Sequence, residues 1–334
     1  MALALTLTKN VSLQTKIMVV FICSFVLLLL VTSAMHFQGM AQRDSALKKS
    51  VRLGHTIAVD SVLTDQRQYL EKALTGILNT RETAVFLSDP AKNNTAGLIM
   101  KGLYLTMQTQ HYGRLTLYDS NYRVLLQEHD EKLPSRGENL PERFKTVYAE
   151  SAKSFENQYY FRQIEPADGN GPVEYCGVTV ITDVDDKVVG FVEVSIMSHT
   201  WVELVAHLTE SDGALFDQAT SSFSFAMDTD LYNQINKVNI PINDGSSTYQ
   251  LDSSYYVSDK MPLTGPDGTV EGWLFLSQDK TVAIARESKI NLISTLLVVA
   301  VVLGSIMGTI FVIRKGIIIP VLSVVDNLRD SGSA

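Results

Sequence analysis

Two long stretches without a charged residue constrain most strongly what this 334-residue chain can fold into. The first covers 19 residues from Ile17 to Met35, and the second covers 24 residues from Ile290 to Ile313. At about 1.5 Å per residue, helices of these lengths can cross the roughly 30 Å hydrocarbon core of a bilayer. The sequence therefore predicts two transmembrane helices, 17–35 and 290–313, with the lipid bilayer as a partner.

Charges beside the two runs predict the orientation of the chain. Lys9 and Lys16 precede the first run, and Arg314 with Lys315 directly follows the second. Because positively charged flanks stay on the cytoplasmic side, we expect both ends in the cytoplasm and residues 38–289 outside it. The alternative for the first run is a cleaved signal peptide, since small residues near its end resemble a cleavage site.

Composition and motifs exclude several classes of function. A formal net charge of −8 disfavours nucleic acid as a partner, because binding phosphates requires clustered Lys and Arg. Two cysteines form neither a disulfide framework nor a Cys-rich zinc site. The sequence contains no metalloprotease, phosphate-loop or nucleophile-elbow motif. We therefore predict that these residues carry no enzymatic activity, no cofactor and no metal site.

The outer segment begins with a predicted long helix over residues 38–88. This stretch contains no proline, and its apolar residues recur mostly at spacings of three and four. Ser88-Asp89-Pro90 is expected to end the helix. Since so long a helix is not stable alone in water, its apolar face must pack on a partner chain, on later modules, or on both.

After the helix the apolar period changes to two, which is typical of β-strands. Two pairs of segments then match in sequence and in order: 178–195 with 260–277, and 117–119 with 215–217. This internal repeat predicts two tandem modules of one antiparallel fold. The alternative is that two unrelated hairpins with Asp-rich turns look alike.

At these residues the chain resembles the Cache family of extracytoplasmic sensors. Cache modules commonly end in a hairpin of the form Asp-x-Asp-Gly-Lys followed by Val-Val-Gly. Here residues 182–190 read TDVDDKVVG, with Asp186 where glycine is usual, and the second copy keeps Asp267-Gly268. The resemblance covers residues 38–289. It implies an α+β fold, in which a long N-terminal helix and two tandem PAS-like (Cache) antiparallel-sheet modules lie between two transmembrane helices.

Residues 316–328 resemble the first helix of a HAMP signal-relay domain, with Pro320 near its start. Only the beginning of such a domain is present in this sequence. The two resemblances together imply a homodimer in the bacterial inner membrane that acts on cytoplasmic signalling proteins. Its output is that of a methyl-accepting chemotaxis receptor or, alternatively, of a sensor histidine kinase.

Four residues of the first module are candidate ligand-binding residues: Tyr160, Arg162, Tyr175 and Thr179. A PAS-like sheet leaves a cavity beneath its connecting helices, and these residues lie on strands expected to border it. A buried guanidinium next to hydroxyl groups can bind a carboxylate through two hydrogen bonds, so Arg162 is the expected anchor. The alternatives are a surface salt bridge for Arg162 and ordinary packing for the tyrosines.

The predicted map of the chain has seven parts: a cytoplasmic N-terminus (1–16), the first span (17–35), the long helix (38–88), a membrane-distal module (90–198), a membrane-proximal module (199–282), the second span (290–313) and the start of the relay (314–334). The predicted function is a receptor that binds a small solute, with a carboxylate as the candidate, in the distal module. The proximal module is assigned to transmission. A hypothesis of another class is a structural or partner-binding membrane protein that has no small-molecule pocket.

Overall fold

The computed structural model describes residues 13–78, 80–91, 94–108, 112–131, 133–163, 172–217, 222–238, 245–315 and 319–331. The chain forms two compact units, one of residues 47–280 and one of the terminal segments 1–46 and 281–334. Parts of several predicted segments lie outside the described residues, among them 1–12 of the cytoplasmic N-terminus, 79 of the long helix, and 316–318 with 332–334 of the relay.

Helix α1 (Leu13–Leu78) is continuous from the first apolar run into the outer segment. In the unit 47–280, its side chains at every fourth position are buried, as at Val62, Gln66, Leu70 and Leu74. A stripe with this spacing lies on one side of a helix. The predicted packing of this apolar face is therefore against modules of the same chain.

The long helix ends at Leu78, earlier than its predicted end at residue 88. Thr80 is extended, with φ −91° and ψ 107°, and its N–H donates to the carbonyl of Ile77 at 3.0 Å. A separate helix, α2 (Arg81–Ser88), follows. After this break, Phe86 and Leu87 of α2 join the same core as Leu74 of α1.

Two antiparallel sheets of five strands form the centre of the unit 47–280. The first contains β1 (Tyr112–Asp119), β2 (Val124–His129), β3 (Gln158–Gln163), β4 (Val173–Thr182) and β5 (Val188–Met197), in the order β2-β1-β5-β4-β3. The second contains β6 (Asp212–Asp217), β7 (Ser222–Ala226), β8 (Gly245–Leu251), β9 (Ser254–Thr264) and β10 (Val270–Asp279), in the order β7-β6-β10-β9-β8. The two orders correspond strand by strand, so the sequence repeat reflects two copies of one arrangement. The predicted α+β fold class is confirmed.

The acidic turn between β4 and β5 is a hydrogen-bonded β-turn. The N–H groups of Asp185 and Lys187 both donate to Asp183 Oδ1 at 2.9 Å. Asp186 has a φ of 58°, and Gly268, its match in the second copy, has a φ of 80°. Aspartate tolerates this left-handed conformation better than most residues, which explains why it can replace the usual glycine.

The remaining helices of this unit are α3 (Asn94–Gln108), α4 (Lys145–Ser154), α5 (Ser198–Thr209) and α6 (Thr229–Val238). A 3₁₀ turn, Glu142–Phe144, leads into α4. One face of the first sheet packs with α1, α2 and α3 in a large apolar core. The opposite face packs with α4. Each face of this sheet is therefore covered by different elements.

The terminal unit contains α7 (Thr281–Ile313) and α8 (Ile319–Ser331). The segment Thr281–Gly308 is long and apolar enough to cross a membrane, by length and composition. Within the first apolar run, the described apolar segment is the shorter Phe25–Met35. The predicted two-pass topology therefore stays a prediction. In this unit Arg43 Nη1 donates to Asn291 Oδ1 at 2.8 Å.

Candidate functional site

Cross-strand pairing divides the four predicted ligand-binding residues between the two faces of the first sheet. Tyr160 lies opposite Cys176 on the face that packs against α4, and Arg162 shares this face. Tyr175 lies opposite Phe161 on the face that packs against α1, and Thr179 shares that face. The four residues therefore form two pairs on opposite faces, and their role in ligand binding stays a prediction. Alternation relates residues within a strand, but the pairing register decides which residues of neighbouring strands share a face.

Tyr175 and Thr179 lie in the packed layer between the sheet and α1. The Tyr175 ring contacts Phe161 with centroids 5.0 Å apart, and burial raises the pKa of Tyr175 to about 12. Gly177, between the two residues, has no side chain and lets Leu70 and Leu74 of α1 approach the strand. These contacts are those of a core.

The face toward α4 carries a buried ionic cluster, formed by Arg114, Arg136, Arg162, Glu174 and Glu193. Arg136 bridges the two carboxylates, since Nη1 donates to Glu193 Oε1 and Nη2 donates to Glu174 Oε2 at 2.5 Å. Arg114 Nε donates to Glu174 Oε2 at 3.3 Å, and Arg162 Nη1 donates to Glu193 Oε2 at 3.2 Å. The cluster thereby joins four strands of the sheet, β1, β3, β4 and β5, to the segment between β2 and α4.

Three tyrosines complete the surroundings of Glu193. The hydroxyl of Tyr160 donates to Glu193 Oε2 at 2.7 Å, and that of Tyr148 donates to the same oxygen. The hydroxyl of Tyr118 accepts from Arg162 Nη1 at 3.2 Å. Glu193 thus receives hydrogen bonds from two arginines and two tyrosines, three of them at Oε2 and one at Oε1.

Neighbouring charges outweigh burial at two members of the cluster, whereas at Arg114 burial lowers the pKa despite the nearby Glu174. Burial by itself would raise the pKa of Glu174, but Arg136 and Arg114 outweigh it and hold the pKa below its usual range. Burial would likewise lower the pKa of Arg136, but Glu174 together with Cys176, Tyr118 and Tyr160 outweighs it, and the pKa lies well above its usual value. Burial is the main cause that raises the pKa of Tyr148, so this residue keeps its proton. Counted by formal charge, three guanidinium groups face two carboxylates, an excess of one positive charge.

Four buried polar atoms on this face have no hydrogen-bond partner among the residues that the structure describes: Arg114 Nη1, Arg136 Nε, Thr116 Oγ1 and Ser195 Oγ. An unpaired buried polar group costs about 1–3 kcal/mol, and most such groups in proteins are satisfied by protein, water or ligand. The arrangement can therefore donate several hydrogen bonds to a molecule that enters it.

Sequence reasoning missed most of the ionic cluster, although one signal was available. Glu174 and Glu193 are the only charges in the ten-residue strands β4 and β5. A charge inside an otherwise apolar, buried strand needs a charged partner. Arg136 lies outside regular secondary structure, and only the fold shows that its segment crosses the sheet, where Gln127 Oε1 accepts its backbone N–H at 3.2 Å.

Several polar groups of the second module satisfy one another. The Tyr249 hydroxyl and Ser258 Oγ are 2.8 Å apart, Ser258 Oγ and Ser277 Oγ are 2.5 Å apart, and the Tyr232 hydroxyl donates to the carbonyl of Asp212 at 2.8 Å.

A separate open cleft of about 450 Å³ lies between α1, the first sheet and α5. Its lining includes Tyr69, Tyr112, Glu203 and His207. None of the four predicted ligand-binding residues lines it. Among the described residues, no group of three or more His, Cys, Asp or Glu side chains is placed to hold a metal ion.

The chain matches no protein-family model and no curated protein sequence. Solved structures similar to it include the ligand-binding domain of the Campylobacter jejuni chemoreceptor Tlp3 in complex with L-norvaline, at 17% identity and a TM-score of 0.42, covering 71% of this chain and 92% of that one. The ligand-binding domain of the Pseudomonas fluorescens chemoreceptor CtaA in complex with L-isoleucine is similar at 16% identity and a TM-score of 0.43, covering 75% and 98%. The extracellular domain of a protein described as a histidine kinase, vpHK1S-Z8, is similar at 10% identity and a TM-score of 0.42, covering 72% and 95%. Similarity at this level identifies neither a ligand nor an output.

Proposed function

We propose that this protein is a transmembrane signal receptor that binds a small solute in its first module, on the sheet face that packs against α4. The observation that carries the proposal is the ionic cluster with four unsatisfied polar atoms beside it. Small-molecule sites combine an apolar wall with a few polar groups that converge. Here Phe144, Tyr148 and Phe191 supply the aromatic part of such a wall.

Transmission toward the membrane is proposed to run through Glu271 of β10. Glu271 is buried, and its Oε2 accepts from the backbone N–H of Gln163 at 2.8 Å and from Arg143 Nη2 at 3.3 Å. Gln163 directly follows Arg162 on β3, and Arg143 lies in the turn that leads into α4. Both donors therefore belong to elements that bound the ionic cluster. A single residue separates the end of β10 from the start of α7.

The proposed receptor spans the bacterial inner membrane twice, exposes residues 38–289 outside the cytoplasm and works as a homodimer. A solute can shift its signal only by binding one signalling state better than the other. The proposed output is chemotaxis, through cytoplasmic signalling proteins. The coding sequence downstream distinguishes a chemotaxis receptor from a sensor histidine kinase. A long heptad helix supports the receptor, whereas a phosphoacceptor histidine and a Gly-rich ATP-binding domain support the kinase.

A solute screen tests the binding step. The 334-residue chain in detergent micelles is heated with organic acids, amino acids and amines, and unfolding is followed by tryptophan fluorescence. Both tryptophans, Trp201 and Trp273, lie in the unit 47–280, so they report on the sensor modules. We expect one class of solute to raise the Tm. If no class does, the protein is better described as a partner-binding membrane protein.

A substitution tests the transmission step. With the solute selected by the screen, hydrogen exchange of α7 should change in the parent chain. Glu271→Gln should bind that solute with unchanged affinity but lose the change in α7, because the ion pair between Arg143 and Glu271 is lost. Glu203→Gln, at an exposed position on α5, is the matched control and should behave as the parent does. An unaltered response of α7 in Glu271→Gln would refute the proposed route.

A further inference from the structure

The four unsatisfied atoms belong to one patch of the first sheet. Arg114 on β1 lies directly opposite Ser195 on β5, and Thr116 is two residues further along the same face of β1. Residues directly opposite have Cβ atoms about 4.5–5.5 Å apart, and residues two apart in a strand lie about 7 Å apart. Arg136 reaches the same patch, since its Nη2 donates to the Sγ of Cys176, which lies opposite Ser195. We call these four residues, Arg114, Thr116, Arg136 and Ser195, the donor patch.

The acceptors around the donor patch are already engaged. Glu193 accepts from two arginines and two tyrosines, and Glu174 accepts from Arg114 and Arg136. Burial would raise the pKa of Tyr118, but the guanidinium groups of Arg162 and Arg136 outweigh it and lower the pKa, which reflects a positive local potential. The patch therefore has hydrogen-bond donors and positive charge to offer, but no free carboxylate among the described residues of this face.

We propose that the donor patch binds the carboxylate of a small organic monoanion that carries no ammonium group. The two oxygens of a carboxylate offer about four lone-pair positions, which match two guanidinium N–H groups and two hydroxyl groups. An excess of one positive charge balances one negative charge. An α-amino acid would also bring an ammonium group that finds no carboxylate partner here, and burying it unpaired is costly.

This inference rests on the proposed function and revises the predicted anchor. Arg162 Nη1 is already shared between Tyr118 and Glu193, and the Arg162 guanidinium lies 4.9 Å from the centre of the Phe144 ring. We therefore assign the anchoring of the carboxylate to Arg114 and Arg136 instead of Arg162. On the β1 side of the patch, Tyr118 packs edge-on against Tyr148 with centroids 5.4 Å apart, which favours a compact anion.

Calorimetric titration of the 334-residue chain in detergent, in a buffer without carboxylates, tests the inference. The probes are acetate, propionate and L-lactate, and the comparison solutes are L-isoleucine, ethanolamine and inorganic phosphate. We expect at least one of the three carboxylates to bind and the comparison solutes not to bind. Thr116→Val removes one donor and keeps the shape of the side chain, so it should weaken carboxylate binding about tenfold, equivalent to about 1.4 kcal/mol.

Thr179→Val is the matched control, because it makes the same substitution at a buried position on the opposite face of the same sheet. It should change the affinity less than twofold, and Ser195→Ala provides a second variant should Thr116→Val fold poorly. Equal effects of the two threonine substitutions would overturn the inference. Binding of L-isoleucine or ethanolamine without any carboxylate would also overturn it, while leaving the sensor function intact. If none of the six solutes binds, the inference fails, and the proposed function fails with it only if the wider screen finds no solute either.

Discussion

Replacing Glu193 by glutamine tests whether the ionic cluster holds the first module together. The carboxylate accepts hydrogen bonds from Arg136, Arg162, Tyr148 and Tyr160. Glutamine has nearly the same shape, but it has one acceptor oxygen, and its NH₂ group would face donors. The substitution also leaves two buried guanidinium groups without this charge partner. Removing one member of a buried ion pair costs about 3–5 kcal/mol, so we expect the free energy of unfolding to fall by that amount.

The expected loss is large enough to measure by heating. In a domain of this size each kcal/mol lowers the Tm by about 2–4 °C, so Glu193→Gln should lower it by about 6–20 °C. Tryptophan fluorescence of the chain in detergent follows this transition. Glu203→Gln on the exposed side of α5 is the control and should change stability by less than about 0.5 kcal/mol. A Tm that falls by less than about 2 °C in Glu193→Gln would refute the reasoning that this carboxylate is a structural partner of the arginines.

Two further predictions concern pH and backbone packing. Because Arg136 and Arg114 outweigh burial and hold the pKa of Glu174 below its ordinary value of 4.5, the unfolded chain binds this proton more tightly than the folded one. The stabilisation that ionised Glu174 contributes is therefore fully present above about pH 4.5 and is lost as the pH falls through the folded-state pKa of this residue. A Tm that does not drop between about pH 6 and pH 3 would contradict this prediction. Gly190→Ala should destabilise by about 1–3 kcal/mol in urea unfolding, because a methyl group there would overlap a backbone carbonyl of β1. Gly102→Ala, where a methyl group meets no neighbouring atom, should instead stabilise by about 0.5–1 kcal/mol, and losses of equal size at both glycines would argue against the steric explanation.

Much of the architecture was predictable because its signals are local or repeated. The absence of proline and the spacing of apolar residues predict a long helix, and the observed α1 agrees except at its end. That end depends on Thr80 and on the burial of Phe86 and Leu87, which no local pattern indicates. The repeat was visible because each copy keeps the same hairpin, including the position of Asp186 and Gly268, where the backbone requires a left-handed residue.

The candidate site was predictable only in part. Tyr160 and Arg162 were identified from alternation along one strand, and the structure indeed places them together. Tyr175, which alternation pairs with Thr179, lies on the other face of the sheet. Nine of the ten residues of β4 are buried, so polarity along that strand does not tell one face from the other.

The sequence by itself determined the elements of this protein: the long helix, the apolar helix of α7, the paired modules and the turn residues. These follow from propensity and periodicity, which act over a few neighbouring residues. Only the tertiary structure decided that Arg136, from an irregular segment, joins Glu174 and Glu193 from separate strands. Charged partners that are distant in sequence meet because desolvation makes an unpaired buried charge costly, and the pairing register and chain path select which partner is within reach.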